Sequence, residues 1–352
     1  MHRTIGEEML KRSRARVVAL GESTLTVERA TALLEMVQED LKTKQKVDDN
    51  TVKCIEAAMH KPMEMRVGQP VKALRISMAG DRLYVLDYRH KRHVFSTRTG
   101  TPVTLRAIDT ESAAVFGNYI LLSMHNHEVR NPKANGATGP LYHHKGIVYH
   151  TVHAAIADRY VTAGADGILV VRQCDNATVR VFNMPVMRML SVALSSDGTA
   201  VAAVCADRTV RVYDVDLGNM VMEWGGTSDT PGVLAVNKDG RHVAFTHGMD
   251  HQQVKVLTRE NLLFTDATTQ RITAMIFSPD GTMFVIANRT GALVFYDVAS
   301  SVLPQMVLQV YTALEDITAM TFNRELSALY YSSASGVVHC IDIPAFTRRN
   351  SQ

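Results

Sequence analysis

From Met63 to Ile343 the chain alternates short apolar runs with clusters of Gly, Asp, Asn and Ser. The pattern is clearest from Met189 to Asp214, MLSVALSSDGTAVAAVCADRTVRVYD. Val192-Ala193-Leu194 leads into the turn Ser196-Asp197-Gly198, and Ala200 to Val204 is a second apolar run. After Asp207-Arg208-Thr209, the residues Val210-Arg211-Val212-Tyr213 alternate apolar and polar. Short runs of strand formers divided by Asp-containing turns predict antiparallel strands joined by tight connections. Ile272 to Asp297, ITAMIFSPDGTMFVIANRTGALVFYD, reads as a second copy of the same unit.

Aligning each unit on the turn between its first two strands gives anchors at Gly80, Gly117, Asp158, Asp197, Asp239, Asp280 and Arg324. They lie roughly 37 to 44 residues apart, the period of a four-stranded propeller blade. Seven anchors predict an all-β fold, a seven-bladed β-propeller with a short helical N-terminal extension. Blade one runs from Val71 to Phe95, blade three from Ile147 to Arg172, blade four from Met189, and blade five from Pro231 to Leu257. Blade six runs from Ile272 to Val298 and blade seven from Ile317 to Ile343. Blade two, about Ser112 to Arg130, has the faintest pattern, FGNYILLSMHNHEVR. The stretch Asn131 to Gly146 is rich in Gly, Pro and Asn and predicts a loop between blades two and three. Blade seven supplies only the strands Ile317–Phe322, Leu329–Ser332 and Val337–Ile343, which leaves an open sheet edge. Met63–Val67, just ahead of blade one, is placed to fill that edge and tie the two ends of the domain together.

The tract Ser196-Asp197-Gly198 followed by Asp207-Arg208-Thr209-Val210-Arg211-Val212-Tyr213-Asp214 resembles the WD-repeat consensus. Ser278-Pro279-Asp280-Gly281 and Phe295-Tyr296-Asp297 repeat it. The resemblance spans about Met63 to Ile343 and is strongest in the second half. It departs from the family pattern in two ways. Tyr213, Tyr296 and Ile341 stand at the family's Trp position, and the Gly-His pair ahead of each blade is missing. The resemblance therefore implies a divergent propeller in which the family's buried network of Asp, His, Ser/Thr and Trp is incomplete. Asp214 and Asp297 take the Asp position at the end of the third strand, with a structural role.

Residues 1 to 60 carry a helical pattern. Thr4 and Glu7 form a capping box for a helix over Ile5 to Leu20, which Gly21 ends. In a second helix, Val27, Ala30, Leu34, Val37 and Leu41 recur at heptad-like spacing, and a third spans Val52 to Met59. The stripe Val27, Leu34 and Leu41 suits either docking of a partner or packing on the propeller. The expected domains are thus residues 1–60, the propeller over 61–346, and a short tail, 347–352.

A net charge of +3 is too mild to imply nucleic acid by bulk charge. No run of 18 apolar residues suggests a membrane helix. Cys54, Cys174, Cys205 and Cys340 are scattered without a CxxC pair, which fits reduced thiols and an intracellular setting. The cytoplasm or nucleus is expected. Lys11, Arg12, Arg14 and Arg16 also admit a mitochondrial presequence, against which Glu7 and Glu8 count.

No nucleophile elbow, phosphate loop, HExxH or dinucleotide fingerprint occurs, so no catalytic residue, metal ligand or cofactor is assigned. His143, His144, His150 and His153 form the densest histidine cluster, but their spacing matches no common zinc motif. Asp197, Asp239 and Asp280 precede Gly and are read as turn formers. The turns between second and third strands gather on one face of a propeller. They carry Arg89, His90, Lys91 and Arg92 in blade one, Arg208 in blade four and Arg289 in blade six. Asn126 and His127 serve blade two, Asp166 blade three, and Asp250 and His251 blade five. The balance is basic, a rim suited to an acidic peptide or a phosphate backbone. The lone Trp224 is either an outer-strand residue or an exposed anchor. The expected function is a non-catalytic intracellular scaffold in a multi-protein complex, working through propeller faces and N-terminal helices. The alternatives are a subunit of an RNA-processing assembly and an enzyme built on a propeller.

Overall fold

The computed structural model describes residues 63–343, apart from short stretches at 78–79, 90, 104–111, 117–118, 124–127, 131–139, 155, 158, 174–177, 185–187, 226–228, 249, 259–261, 268–269, 299–304 and 313–314. The helical extension, with Val27, Leu34 and Leu41, lies outside the described residues, as do His90, Asn126 and His127.

Seven antiparallel sheets are present. Blade four shows the common plan: Met189–Leu194, Ala200–Cys205, Val210–Asp214 and Met220–Trp224 pair in sequence order. Its second strand, AVAAVC, is buried along its whole length because sheets cover both of its faces. The first strand of each blade touches the first strands of both neighbours, in unbroken succession from Val71–Ile76 of blade one to Ile317–Phe322 of blade seven and back. The ring is therefore closed around a central channel.

Closure uses the expected strand. Met63–Arg66 pairs with Val337–Asp342 in the register Met63↔Cys340 to Arg66↔Val337. Met65 is 1% exposed and packs with Val71, Leu74, Leu83 and Phe95 of blade one and Tyr330 and Val338 of blade seven. The Tyr330 hydroxyl donates to Thr97 O at 3.4 Å across the same junction. The other large clusters also straddle neighbouring blades, three with four, four with five, five with six, and six with seven. The core thus lies between the sheets, where each sheet twist brings apolar faces together.

Blade two corrects the sequence expectation. Within the stretch expected to be only a loop, Pro140–His143 forms its fourth strand, pairing Glu128↔His143 and Val129↔Tyr142. Proline is tolerated because this strand is at the sheet's outer edge, where no ladder donor is needed on the open side. Among the described residues blade one has the strands Val71–Ile76, Arg82–Asp87 and Arg92–Ser96, plus a bridge from Phe95 to Pro102.

The turns between strands one and two share one construction. Ser195 Oγ donates to Asp197 Oδ1 at 2.7 Å and accepts from Ala200 N at 2.9 Å. Gly198, Gly240 and Gly281 all take positive φ there, which glycine adopts without steric cost. At Gly240 a side chain would also strike Ala200 of blade four. Blade seven has Leu326 at this conformation, φ 54°. Neighbouring turns interlock, with Asp197 N donating to Lys238 O at 3.1 Å and Arg159 Nη1 donating to Gly198 O at 3.1 Å.

Candidate interaction faces

Joining strands in antiparallel order puts the strand-two to strand-three turns on one face and the strand-one to strand-two turns on the other. Each face has a recess at the channel mouth.

On the strand-two to strand-three face, a cavity of about 390 Å³ is lined by residues of blades one, five, six and seven, among them Tyr88, His251, Arg271, Arg289 and Asp316. Of the expected rim, Arg289 lines this mouth. Arg89 adjoins Tyr88, which is 60% exposed. Arg89, Lys91 and Arg208 are exposed in their turns, while Arg289 and His251 of the expected turns line the cavity itself. The rim is mixed rather than uniformly basic. Arg289 Nε lies 3.5 Å from Asp316, and Arg271 Nη1 lies 3.9 Å from Asp250. Arg208 holds φ 66°, the conformation that Gly167, Gly291 and Gly336 take in blades three, six and seven. A non-glycine residue there is strained by roughly 1–2 kcal/mol.

The acids in these turns are structural. Asp207 accepts from Thr209 N and Oγ1, and from Arg211 Nη2 at 2.7 Å. Burial pushes its pKa up, but these bonds outweigh burial and hold it below the usual value. Arg211, 8% exposed along its side chain, also meets Glu223 at 2.9 Å. Asp87 receives Lys91 N at 2.8 Å and lies 3.0 Å from His93 Nε2. Asn288 caps the matching turn of blade six through Thr290 N and Ala292 N.

Blade three has no Gly-His pair, yet a histidine fills the corresponding place in the network. His144 Nδ1 lies 3.2 Å from Asp166 Oδ1, and His144 Nε2 lies 3.0 Å from Thr162 Oγ1. His144 is buried, and Asp166 also receives Lys145 N at 2.8 Å. This is three-quarters of the network that the family resemblance implied was incomplete, with Arg172 on the strand where Trp would stand. The Gly-His spacing hides it in sequence because Lys145 separates His144 from Gly146. Trp224 proves to be an outer-strand residue. Its ring packs on Phe245 at 4.7 Å, and Lys255 Nζ sits 4.7 Å above it.

The opposite face holds a larger cavity, about 540 Å³, lined by residues of blades one and three to seven. Arg75, His153 and Arg324 bring the polar character, while Leu194, Val236, Met275 and Met320 form apolar wall. Sequence reasoning missed this mouth. Arg75 lies inside a strand and Arg324 in a turn 249 positions later in number, by subtraction of their positions, so only ring closure brings them together. Burial drops His153 to about 3, helped by Arg75 and Arg324, and drops His150 to about 4, helped by Lys72. Among the described residues no group of three or more His, Cys, Asp or Glu is arranged to hold a metal.

Residues 178–214 match the family model described as WD domain, G-beta repeat. The match begins on the outer strand of blade three, Thr178–Asn183, and ends on the third strand of blade four, Val210–Asp214, so one sequence repeat joins two blades. No curated protein matches the chain. WD repeats are generally non-catalytic modules that mediate protein–protein interaction. Seven antiparallel sheets closed in a ring make the described residues a seven-bladed β-propeller, and the repeat match over 178–214 makes it similar to WD-repeat proteins.

Proposed function

We propose that this protein is a non-catalytic scaffold that holds partner proteins of a multi-subunit complex inside the cell, in the cytoplasm or nucleus. The observation that carries the reading is the closed ring with a solvent-facing recess at each end of its channel. A rigid ring presents residues from up to seven blades to one partner without ordering cost at the moment of binding. The stripe Val27, Leu34 and Leu41 adds a second docking element in this reading.

Affinity purification of the tagged chain, followed by reconstitution of the recovered partner with recombinant protein, tests it. A direct complex that survives moderate salt supports the scaffold role. A chain that stays monomeric with every recovered candidate refutes it. The RNA alternative rests on Arg89, Lys91, Arg208, Arg271 and Arg289 sharing one face. The interleaved Asp207, Asp250 and Asp316 weaken the positive field that phosphate contacts need. A steep salt dependence of binding to a single-stranded RNA, reduced by reversing Arg208 and Arg289 to Glu, would favour it.

A further inference from the structure

Six large hydrophobic side chains are exposed among the described residues, and three of them, Val181, Leu217 and Met220, lie on one flank of the ring, where blade three meets blade four. Val181 belongs to the outer strand of blade three, Thr178–Asn183, and is 44% exposed. Leu217, 72% exposed, tops the turn between the third and outer strands of blade four, and Met220 opens the outer strand that follows. Apolar exposure gathered in this way marks a contact surface.

The turn is fixed against blade three. Arg180 Nε donates to Val215 O at 3.0 Å, and its Nη2 donates to Asp216 O. Asp214 Oδ1 accepts from Asp216 N at 3.0 Å and from Leu217 N at 2.9 Å. Arg159 Nη1 lies 2.9 Å from Asp216 Oδ1. Leu217 is therefore presented with little left to order on binding. The same bonds turn the Arg180 guanidinium onto blade four and off the open side of its own strand.

The backbone of that strand offers a pairing edge. Met184 N donates to Gly167 O at 2.8 Å, at the end of the ladder with Ile168–Gln173. Antiparallel ladders alternate, so Phe182 bonds inward as Met184 does, and Val181 and Asn183 turn their N–H and C=O outward. Among the described residues no strand pairs along that side. Two other outer strands have their side chains described, and both are guarded by charge. Met63–Arg66 has four residues and carries Glu64 and Arg66, 3.6 Å apart. Met220–Trp224 carries Glu223, 45% exposed, and Lys255 sits over its Trp224. Thr178–Asn183 has six residues and no acid, and its one cation is turned aside.

We propose that this edge is a self-association surface, where the outer strands of two copies of the chain pair antiparallel about a two-fold axis. Such an axis sets a strand against itself, so a charge on the edge would meet its like. Here Val181 meets Val181 of the second copy, and the two exchange both of their outward backbone bonds. The absence of a like charge at the join is what selects a second copy, and the uncharged edge has no charge with which to choose a foreign strand. Leu217 and Met220 flank the join and are covered with it. The surface lies on the side of the ring, so both mouths stay open to partners. The inference goes beyond the scaffold reading and is independent of it.

Sedimentation velocity of the purified full chain across the micromolar range tests it. Wild type should show a concentration-dependent monomer–dimer equilibrium, and hydrogen exchange of the 178–183 backbone should slow in the dimer. Val181→Pro removes a donor that points outward and spares the inner ladder, and should weaken dimerisation at least tenfold. Val181→Lys sets two ammonium groups against each other across the axis and should do the same, should Val181→Pro fail to fold. Val181→Thr keeps the shape and the strand preference and should dimerise like wild type. Circular dichroism and thermal melts report folding. A monomer at every concentration, a dimer that folded Val181→Pro or Val181→Lys leaves intact, or a dimer without protection at 178–183 would overturn the proposal. So would loss of the dimer on changing Val27, Leu34 and Leu41 to Glu in the full chain, since that would assign association to the N-terminal stripe. Failure on any of these counts leaves the scaffold role intact, because that role is tested by recovering and reconstituting a different protein.

Discussion

The two mouths of the channel treat their arginines in opposite ways. On the strand-two to strand-three face, cations and carboxylates are interleaved. Arg289 pairs with Asp316, Arg271 faces Asp250, and the enclosed Arg211 is held by Asp207 and Glu223. On the other face, Arg75, His153 and Arg324 line a cavity that no described carboxylate enters. The difference teaches how to read charge in a ring. A cation answered by its own turn acid is part of the architecture. At the other mouth the one itemised partner of the Arg75 guanidinium is a neutral carbonyl, that of Leu74, and the described wall beside it is largely apolar.

Both mouths depend on closure, so breaking the ring should have the largest effect. Deleting residues 1–68 removes Met63–Arg66 and the buried Met65. The loss of about 1.5–3 kcal/mol for that side chain, with roughly 0.5–1.5 kcal/mol for each strand hydrogen bond, should lower the melting temperature sharply. Deleting 1–50 should not reproduce that drop. Equal melts for the two truncations would refute the closing-strand role and, with it, the existence of either mouth as a shared surface.

Acid comes next. His150 and His153 sit at about 4 and about 3 in the folded protein, against 6.5 when unfolded. As pH falls below about 6.5 the unfolded chain gains protons that the native ring refuses, so their contribution is full above that pH and is lost on acidification. Each such site changes stability by about 1.4 kcal/mol per pH unit within its window. Burial also lowers His242, His247, His251 and His339, which act in the same direction. Thermal melts at pH 7 and pH 5 should show lower stability at pH 5. His153→Asn should flatten the dependence, and a flat wild-type profile would contradict the enclosed histidine.

Removing a charge from each face sharpens the contrast. Asp207→Ala takes away the strongest partner of Arg211 and should cost about 1.5–3 kcal/mol. Arg75→Met removes a cation that has no carboxylate and should leave stability unchanged or raised. Paired denaturant titrations decide this. A loss at Arg75→Met as large as that at Asp207→Ala would mean that the two faces treat their arginines alike.

The smallest effect is expected at Arg208→Gly. It relieves the φ of 66° and should gain up to about 1 kcal/mol. Because Arg208 lies outside both cavities, the same variant should recover partner proteins like wild type. A gain in stability with lost partner recovery would move the working surface to the Arg208 turn.

What the sequence determined by itself was the fold. Period and strand alternation are local features that recur in every unit, Asp-Gly turns mark blades four, five and six, and local hydrogen bonds such as Ser195 to Asp197 enforce the turn at short range. The closing strand was legible because a three-stranded last blade leaves an edge that needs pairing. Blade two's outer strand was not, since Pro140-Leu141-Tyr142-His143 is short and lies among turn residues, and its pairing with Glu128–Arg130 is what makes it a strand. His144 looked like one member of a histidine cluster, and became a partner of Asp166 and Thr162 only once the turn folded beneath it. The mouth around Arg75, His153 and Arg324 was decided by tertiary structure alone. Those residues sit in blades one, three and seven, and no local pattern encodes their approach. Closing the ring brings them to one opening, lined by strands and turns from six of the seven blades.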